Sequence, residues 1–336
     1  MANPTASRLL LVKLSSLGDV VHALPLLQAL RAGLAPDAVI AWAVAKPFAP
    51  LLENNPHLSW THVLPSKRAA DVWKFGQELR SHGYETAFDA QGLFVSGAVT
   101  ALSGAARRVG FDGNREGNAL FMTDAVVPSG ERFHVVQRLL GFCDTLDIPR
   151  PARIEPQTYL TTTDVSALLA PLAGGDAPVV GCVIGASVAN KSWTIERWQL
   201  CLRLMGEAGC RPVLLGAASD ATSGDALAAS GALNLVGKTS LPELASVLAK
   251  CAVVIGPDSG ATHLAVAVGT PVVGLYGVTD PAKTGVLWGS GPAMVLDYAE
   301  TDAPPATRRA RHPTLTDALA RIPAQAVADA ALRLIR

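Results

Sequence analysis

The sequence predicts an α/β protein built from two doubly wound, Rossmann-like domains. Three observations carry that prediction. Short β-branched runs alternate with longer stretches of helical period, the pattern of a parallel sheet covered on both faces. The alternation breaks once, in a polar, proline-bearing passage near the middle, and then restarts. The chain has 336 residues, too many for one ordinary core and a fit for two domains of about 150 residues each.

In the first half, strands are predicted at 8–14 (RLLLVKL), 38–44, 61–65, 86–90 and 107–111. Between them, residues 19–34, 69–83 and 92–104 place apolar side chains at helical spacing. Pro25 sits inside the first of these helices, where a proline favours a kink. Residues 146–164 (LDIPRPARIEPQTYLTTTD) hold three prolines and no period, and read as the interdomain linker. The domains are accordingly drawn as 1–155 and 156–336. The second half repeats the theme, with strands at 178–185, 211–216, 233–237, 251–256, 271–277 and 293–297. Helices are predicted at 194–209 and 241–250. The Ala/Leu-rich stretch from 323 is a closing helix with basic residues toward its C-terminus, free to pack back on the first domain.

Composition excludes several classes. Twenty-eight basic residues balance 28 acidic ones, so no polyanion-binding block exists and nucleic acid is not an expected partner. Cys143, Cys182, Cys201, Cys210 and Cys251 form an odd, scattered set with no CxxC, which argues against a disulfide framework and a zinc site. Neither a signal peptide nor a run long enough to span a bilayer is seen. The expected location is the cytoplasm. No phosphate-loop GxxxxGK[ST], early GxGxxG, HExxH or GxSxG is present.

Chemistry is expected in the loops after strands, where doubly wound sheets bind ligands. Four loops stand out. In SSLGDVVH, residues 15–22, Asp19 opens a helix; it is either a cap or a general base within reach of a hydroxyl. In IGASVANKSW, Ser187 offers a hydroxyl and Lys191 a point charge suited to phosphate. In PDSGATH, Asp258 or Ser259 caps an apolar helix whose first turn, through Gly260, Ala261 and Thr262, makes an anion site fit for a diphosphate. His263 could donate to a phosphate oxygen there. In FDAQGLFVSG, Asp89 ends a strand and Gln91 and Gly92 start the next helix, with N-capping the favoured role.

Taken together, VKLSSLGDVVHALP, DAQGL, GAS…K.W and GPDSGATHLAVAVGTPVVGLYGVTDP resemble the glycosyltransferase family 9 heptosyltransferases, over about residues 8 to 285. The resemblance implies a GT-B fold, two Rossmann-like domains with the active site between them. It implies inverting, metal-independent transfer of L-glycero-D-manno-heptose from ADP-heptose to the inner core of lipopolysaccharide, with no cofactor. The SSLGDVVH form is similar to the branch of the family whose acceptor is the 3-deoxy-D-manno-octulosonic acid (Kdo) of Kdo-lipid A. That acceptor implies peripheral contact with the cytoplasmic face of the inner membrane. The family's catalytic base falls on Asp19 and its phosphate-binding lysine on Lys191. The donor would be held by Ser187, Lys191, Asp220, Thr239, Asp258, Ser259, Gly260, Ala261, Thr262 and His263. On the acceptor side the resemblance points to Ser16, Gly18, Gln91, Lys67, Arg68 and Arg115, with Arg107, Arg108, Arg132 and Arg138 as further cations. The stretch PSKRAADVWKFGQELR is less basic than the corresponding loop in enterobacterial members.

Three rivals stand beside that reading: a family 9 enzyme with another core acceptor, a GT-B nucleotide-sugar epimerase or hydrolase, and a non-catalytic nucleotide-sugar binder. An epimerase or hydrolase needs acid/base carboxylates in the second domain, for which Asp258 and Asp280 are the nearby candidates.

Overall fold

The computed structural model describes residues 7–335 except 114, 127–133, 187–191, 278 and 298–318. The chain divides into two units, Met1–Ala152 and Arg153–Arg336.

Unit 1 contains β1 (Arg8–Val12), α1 (Leu17–Gly33), β2 (Val39–Ala45), β3 (Trp60–Leu64), α2 (Ala69–Ser81), β4 (Thr86–Asp89), α3 (Phe94–Leu102), β5 (Arg107–Phe111), β6 (Asp124–Val126) and α4 (Val135–Asp144). The six strands form one sheet in the order β3-β2-β1-β4-β5-β6, and every pairing is parallel. A strand between two helical layers must be apolar on both faces. β1 meets that demand, with Leu9, Leu10, Leu11 and Val12 all fully buried. α1 is buried along most of its length and takes Pro25 into its interior. It packs against α4.

Unit 2 contains α5 (Ser166–Leu169), β7 (Val179–Val183), α6 (Ile195–Glu207), β8 (Arg211–Leu215), α7 (Ala221–Ala228), β9 (Leu233–Asn234), α8 (Leu241–Lys250), β10 (Val253–Pro257), α9 (Gly260–Ala267), β11 (Val272–Tyr276), α10 (Pro281–Thr284), β12 (Ala293–Asp297) and α11 (Ala324–Ile335). Its sheet runs β12-β11-β10-β7-β8-β9, again parallel throughout. Counted from each unit's first strand, the two orders are the same, 3-2-1-4-5-6. In that order the topological switch point lies between the first and fourth strands, β1/β4 in unit 1 and β7/β10 in unit 2, and ligands bind at the carboxyl ends there.

The unit boundary lies slightly ahead of the one expected after residue 155. The physical reason is that the later part of the proline-bearing passage has tertiary partners in unit 2. Gln157 donates its amide to Ala267 and Thr163 donates to the Ser246 hydroxyl. α11 packs on α6, β10 and β11 of the same unit, and Val327, Ala328 and Ala331 enter its core. Trp193 seals this layer, its indole N–H donating to the Ile322 carbonyl.

The sequence reading left β6, α4 and α7 unassigned. β6 is three residues long, and the Ala, Ser, Thr and Gly of α7 have weak apolar periodicity. Both need the neighbouring strands and helices to define them. All five cysteines are free and buried. Burial pushes the thiols of Cys143, Cys201 and Cys251 up to about 12, so they are packed as small apolar groups.

Candidate active site

In unit 1, β1 ends at the switch point and the chain turns through Lys13, Leu14, Ser15 and Ser16 into α1. The Ser15–Ser16 peptide is cis. Ser16 occupies the N-cap, and the Asp19 carboxylate reaches back to it. Oδ2 accepts from the Ser16 hydroxyl at 3.1 Å and from the Ser16 amide at 3.3 Å. That answers one helix donor in the manner of a capping box. The other oxygen, Oδ1, lies 3.6 Å from the Lys13 ammonium. Capping and charge pairing thus use different oxygens of one side chain.

Lys13 is the residue that sequence reading missed. It was assigned to the end of an apolar strand, yet its side chain is only 4 % exposed while that of Asp19 is 18 % exposed. A buried ammonium must be paired. Lys13 meets that requirement with Asp19 and with the Ala90 carbonyl, 2.9 Å from Nζ. It therefore ties the end of β1 to the end of β4 across the switch point. The available signal was a lysine inside RLLLVKL, where a strand buried on both faces should carry none.

The facing loop from β4 is held by Asp89, which is fully buried. Its carboxylate accepts from the amides of Gln91 and Gly92, the Ser96 hydroxyl and the Asn118 amide. Burial pushes this carboxyl up, and those four donors offset only part of the rise. Asp89 organises the turn but is not the helix cap expected of it: Leu93 is the N-cap of α3, and the Asp89 carboxylate is taken up by the turn amides ahead of it. Gly92 adopts φ +71°, a conformation glycine takes without a Cβ penalty. The turn points the Gln91 Oε1 at the Ser15 amide, 3.2 Å away. Lys67 reaches the Ser15 hydroxyl at 3.5 Å, so Ser15, Ser16, Gly18, Asp19, Gln91 and Lys67 gather at one place. Arg68 is the exposed N-cap position of α2. Arg115 is exposed in the loop that Asn118 anchors to Asp89.

Two expected cations have structural work instead. Arg107 pairs with Asp124 and donates to the Thr145 carbonyl. Arg108 donates to the carbonyls of Phe121 and Ala105. Both stand at the start of β5, ahead of the residues that pair with β6. Arg138 lies over the Phe111 ring at 5.0 Å. Arg132 lies outside the described residues.

In unit 2 the corresponding switch point ends in the entry to α9. Ser259 is the N-cap, its hydroxyl accepting from the Thr262 amide at 3.4 Å and lying 3.0 Å from the Thr262 hydroxyl. Gly256 lets this helix end approach the strand, because a Cβ there would meet the Thr262 Oγ1 at 2.4 Å. Among the described residues the amides of Gly260 and Ala261 have no acceptor, and both residues are part-exposed. Unpaired first-turn amides and the positive end of the helix dipole suit an anion.

His263, expected to face a phosphate, is turned inward in the structure. Its Nε2 pairs with Asp258 Oδ1 at 3.0 Å, and the Trp288 indole N–H points at its Nδ1 from 3.5 Å. With Trp288 as donor, Nε2 carries the proton and gives it to the carboxylate. Asp258 also accepts from the Thr284 hydroxyl at 3.4 Å, so it is held rather than presented. Asp280 caps α10 by accepting the Ala282 amide. Both carboxylates available to an epimerase or hydrolase thus have structural partners.

Asp220 accepts the Ala217 amide at 2.9 Å and rests against the loop after β7. A Cβ on Gly185 would meet its Oδ2 at 1.9 Å. Thr239 is half-buried ahead of the α8 cap Ser240. Asp220 and Thr239 therefore sit at the same carboxyl edge of the sheet as Ser259. Ser187 and Lys191 lie outside the described residues.

Comparison with known proteins identifies the family. The family model for glycosyltransferase family 9 (heptosyltransferase) matches residues 72–310. The chain belongs to that family. It is 31 % identical to lipopolysaccharide heptosyltransferase 1 of Pseudomonas aeruginosa, over 83 % of this chain and 81 % of that one. It is 25 % identical to lipopolysaccharide heptosyltransferase 2 of Escherichia coli, over 82 % and 84 %. The structure of E. coli heptosyltransferase WaaC with ADP aligns with a TM-score of 0.76 at 25 % identity, covering 97 % and 99 % of the two chains. This family 9 chain is a glycosyltransferase, and its two Rossmann-type units are those of the GT-B class.

Proposed function

We propose that this chain transfers L-glycero-D-manno-heptose from ADP-heptose to the Kdo of Kdo-lipid A, the heptosyltransferase I reaction. One observation carries the reading. Asp19 is a part-exposed carboxylate at the unit 1 switch point, anchored by Ser16 through one oxygen and facing Lys13 with the other. A base must be ionised to accept a proton, and a cation 3.6 Å away favours the ionised form. The SSLGDVVH motif and the similarity to a heptosyltransferase 1 support the choice of acceptor.

In the proposed reaction Asp19 takes the proton of an acceptor hydroxyl. The hydroxyl oxygen attacks the anomeric carbon of the heptose with inversion. The bond from that carbon to the diphosphate oxygen breaks, and ADP leaves with the electron pair. The α9 entry at Ser259, Gly260, Ala261 and Thr262, together with Ser187 and Lys191, receives the growing negative charge. Asp220 and Thr239 hold the nucleoside. Asp258 and His263 brace the α9 entry from behind. These groups supply charge stabilisation without a metal, and ADP-heptose is the only small molecule required. On the acceptor side Ser16, Gly18, Gln91, Lys67, Arg68 and Arg115 meet the anionic sugar. No helix among the described residues is long and apolar enough to cross a membrane, so work on a lipid-linked acceptor is proposed to occur by peripheral contact at the cytoplasmic face of the inner membrane.

ADP release from ADP-heptose, measured with and without Kdo-lipid A, tests this. Release that requires both the acceptor and Asp19 is the expected result. Release without acceptor would point to hydrolysis or epimerisation and overturn it. Activity insensitive to EDTA is expected; loss restored by Mg²⁺ would remove the metal-free reading. A second reading, a different core acceptor, has the heptosyltransferase 2 relative in its favour. It predicts turnover only when a core already carrying one heptose replaces Kdo-lipid A.

A further inference from the structure

The β3 side of the unit 1 sheet carries a polar cluster that the proposed transfer does not use. His62 sits in the middle of β3, Glu78 in the last turns of α2, and His82 at the C-cap of that helix. One nitrogen from each histidine and one Glu78 oxygen lie within 4.8 Å of one another. His62 pairs in register with Ala43 of β2, and the Arg8 side chain at the start of β1 donates to the His82 carbonyl. The Asp19 loop follows β1, two strands in from β3.

We propose that His62, Glu78 and His82 form a binding site for a divalent first-row transition ion of the Zn²⁺ class. The donor set is two imidazoles and one carboxylate, a combination that suits such ions and leaves a coordination position for water. With two neutral rings and one carboxylate it carries the negative charge a divalent cation attracts.

The cluster is part rigid and part adjustable. His62 is 5 % exposed, whereas the Glu78 side chain is 55 % exposed. His82 is half-buried and its ring is steered by its neighbours, T-shaped against His62 at 4.6 Å and stacked on Tyr84 at 5.9 Å. Tetrahedral coordination brings donor atoms to about 3.3 Å from each other for bonds of about 2.05 Å. Rotation of the exposed Glu78 and the half-buried His82 covers the difference without moving β3.

The support behind the ligands is already in place. His62 Nδ1 faces Glu78 Oε1 at 3.1 Å, and His62 Nε2 faces the Tyr84 hydroxyl at 2.7 Å. Metal-bound histidines give their second N–H to such a partner. Burial pushes the Tyr84 phenol up to about 12, so it stays protonated, able to donate to Nε2 or to accept from it. Without an ion, the Nδ1 proton goes to Glu78 and Tyr84 donates to Nε2. With an ion on Nδ1, the proton sits on Nε2 and Tyr84 accepts it.

A bound ion joins β3, an edge strand, to the end of α2. Its expected effect is on stability and not on turnover. The test is calorimetric titration of the chelator-stripped full chain with Zn²⁺, with melting temperature and the Co²⁺ visible spectrum as further readouts. One equivalent bound, a raised melting temperature and a Co²⁺ spectrum of low symmetry are expected. Glu78→Gln and His82→Ala alter exposed or half-buried side chains and should fold, each with affinity lower by tenfold or more. Tyr84→Phe should weaken binding by about 10- to 100-fold while leaving all three ligands in place. No saturable uptake would overturn the proposal. So would unchanged affinity in the Glu78→Gln/His82→Ala double variant, which would put the ion elsewhere. ADP release should be the same with and without Zn²⁺. This separates failure here from failure of the transferase reading.

Discussion

The two units repeat one sheet order, yet their switch points carry opposite chemistry. At β1/β4 the loop is charged, with a buried ammonium, a part-exposed carboxylate on the first turn of α1, and a glutamine turned toward the Ser15 amide. At β7/β10 the residues of the α9 entry, Ser259, Gly260, Ala261 and Thr262, are small and uncharged. Asp258 is answered by His263, and the α9 entry presents amides. The first arrangement can move a proton; the second can receive a negative charge. A helix N-terminus follows the strand in both. What differs is whether the third residue of the helix returns a carboxylate to the cap, as Asp19 does, or a threonine, as Thr262 does. A carboxylate fills the anion site of its own helix, whereas a threonine leaves that site for a ligand.

The largest expected effect comes from breaking the unit 1 side. Asp19→Ala should lower kcat by roughly 10² to 10⁴ while leaving ADP affinity, measured by titration calorimetry, close to wild type. Unchanged turnover would take Asp19 out of the base role. Next is Lys13→Met, which removes the cation but keeps the volume. Without the ammonium that Asp19 Oδ1 faces at 3.6 Å, the carboxylate loses a positioning partner, and turnover should fall while ADP affinity stays close to wild type. Unchanged turnover would make Lys13 a structural strut only.

On the unit 2 side, Gly256→Ala drives a methyl toward Thr262 Oγ1 and displaces the α9 entry. Stability should fall by about 1–3 kcal/mol. ADP should bind roughly tenfold more weakly, about 1.4 kcal/mol, with the pH profile untouched. Equal ADP affinity would separate the α9 entry from the nucleotide. The smallest effect concerns His62 on the edge strand β3. Burial depresses the His62 pKa below its unfolded value. The unfolded chain therefore binds the proton more readily, and this stability contribution is present above about pH 6.5 and lost as pH falls through the lower folded value. Melting temperature should drop modestly from pH 7 to pH 5 in metal-free protein, with a shallower slope in His62→Asn.

Much of the fold was legible because its causes are local. Apolar runs such as RLLLV and VVIGP announce strands buried on both faces, and turn residues punctuate them. The loops proposed to carry chemistry stand out for a related reason: doubly wound sheets place ligand-binding loops after strands, and SSLGD and PDSGATH are polar there. What composition could not show was pairing. Asp89 and Asp258 look alike in sequence, each ending a strand before a small-residue turn. Their partners, Asn118 and His263, come from 29 residues away in one case and from the adjoining helix in the other.

The sequence by itself determined the two α/β units, their parallel sheets, the polar loops after strands and the candidacy of Asp19, because strand and helix periodicity and turn chemistry act over a few residues. Tertiary structure alone decided that Lys13 stands behind Asp19, that His263 faces Asp258 instead of a ligand, that Arg107 and Arg108 hold loop carbonyls, and that His62, Glu78 and His82 converge. Each of these is a contact between groups brought together by strand order or by packing of a helix on its sheet. Their charges and hydrogen bonds have direction only once those neighbours are in place.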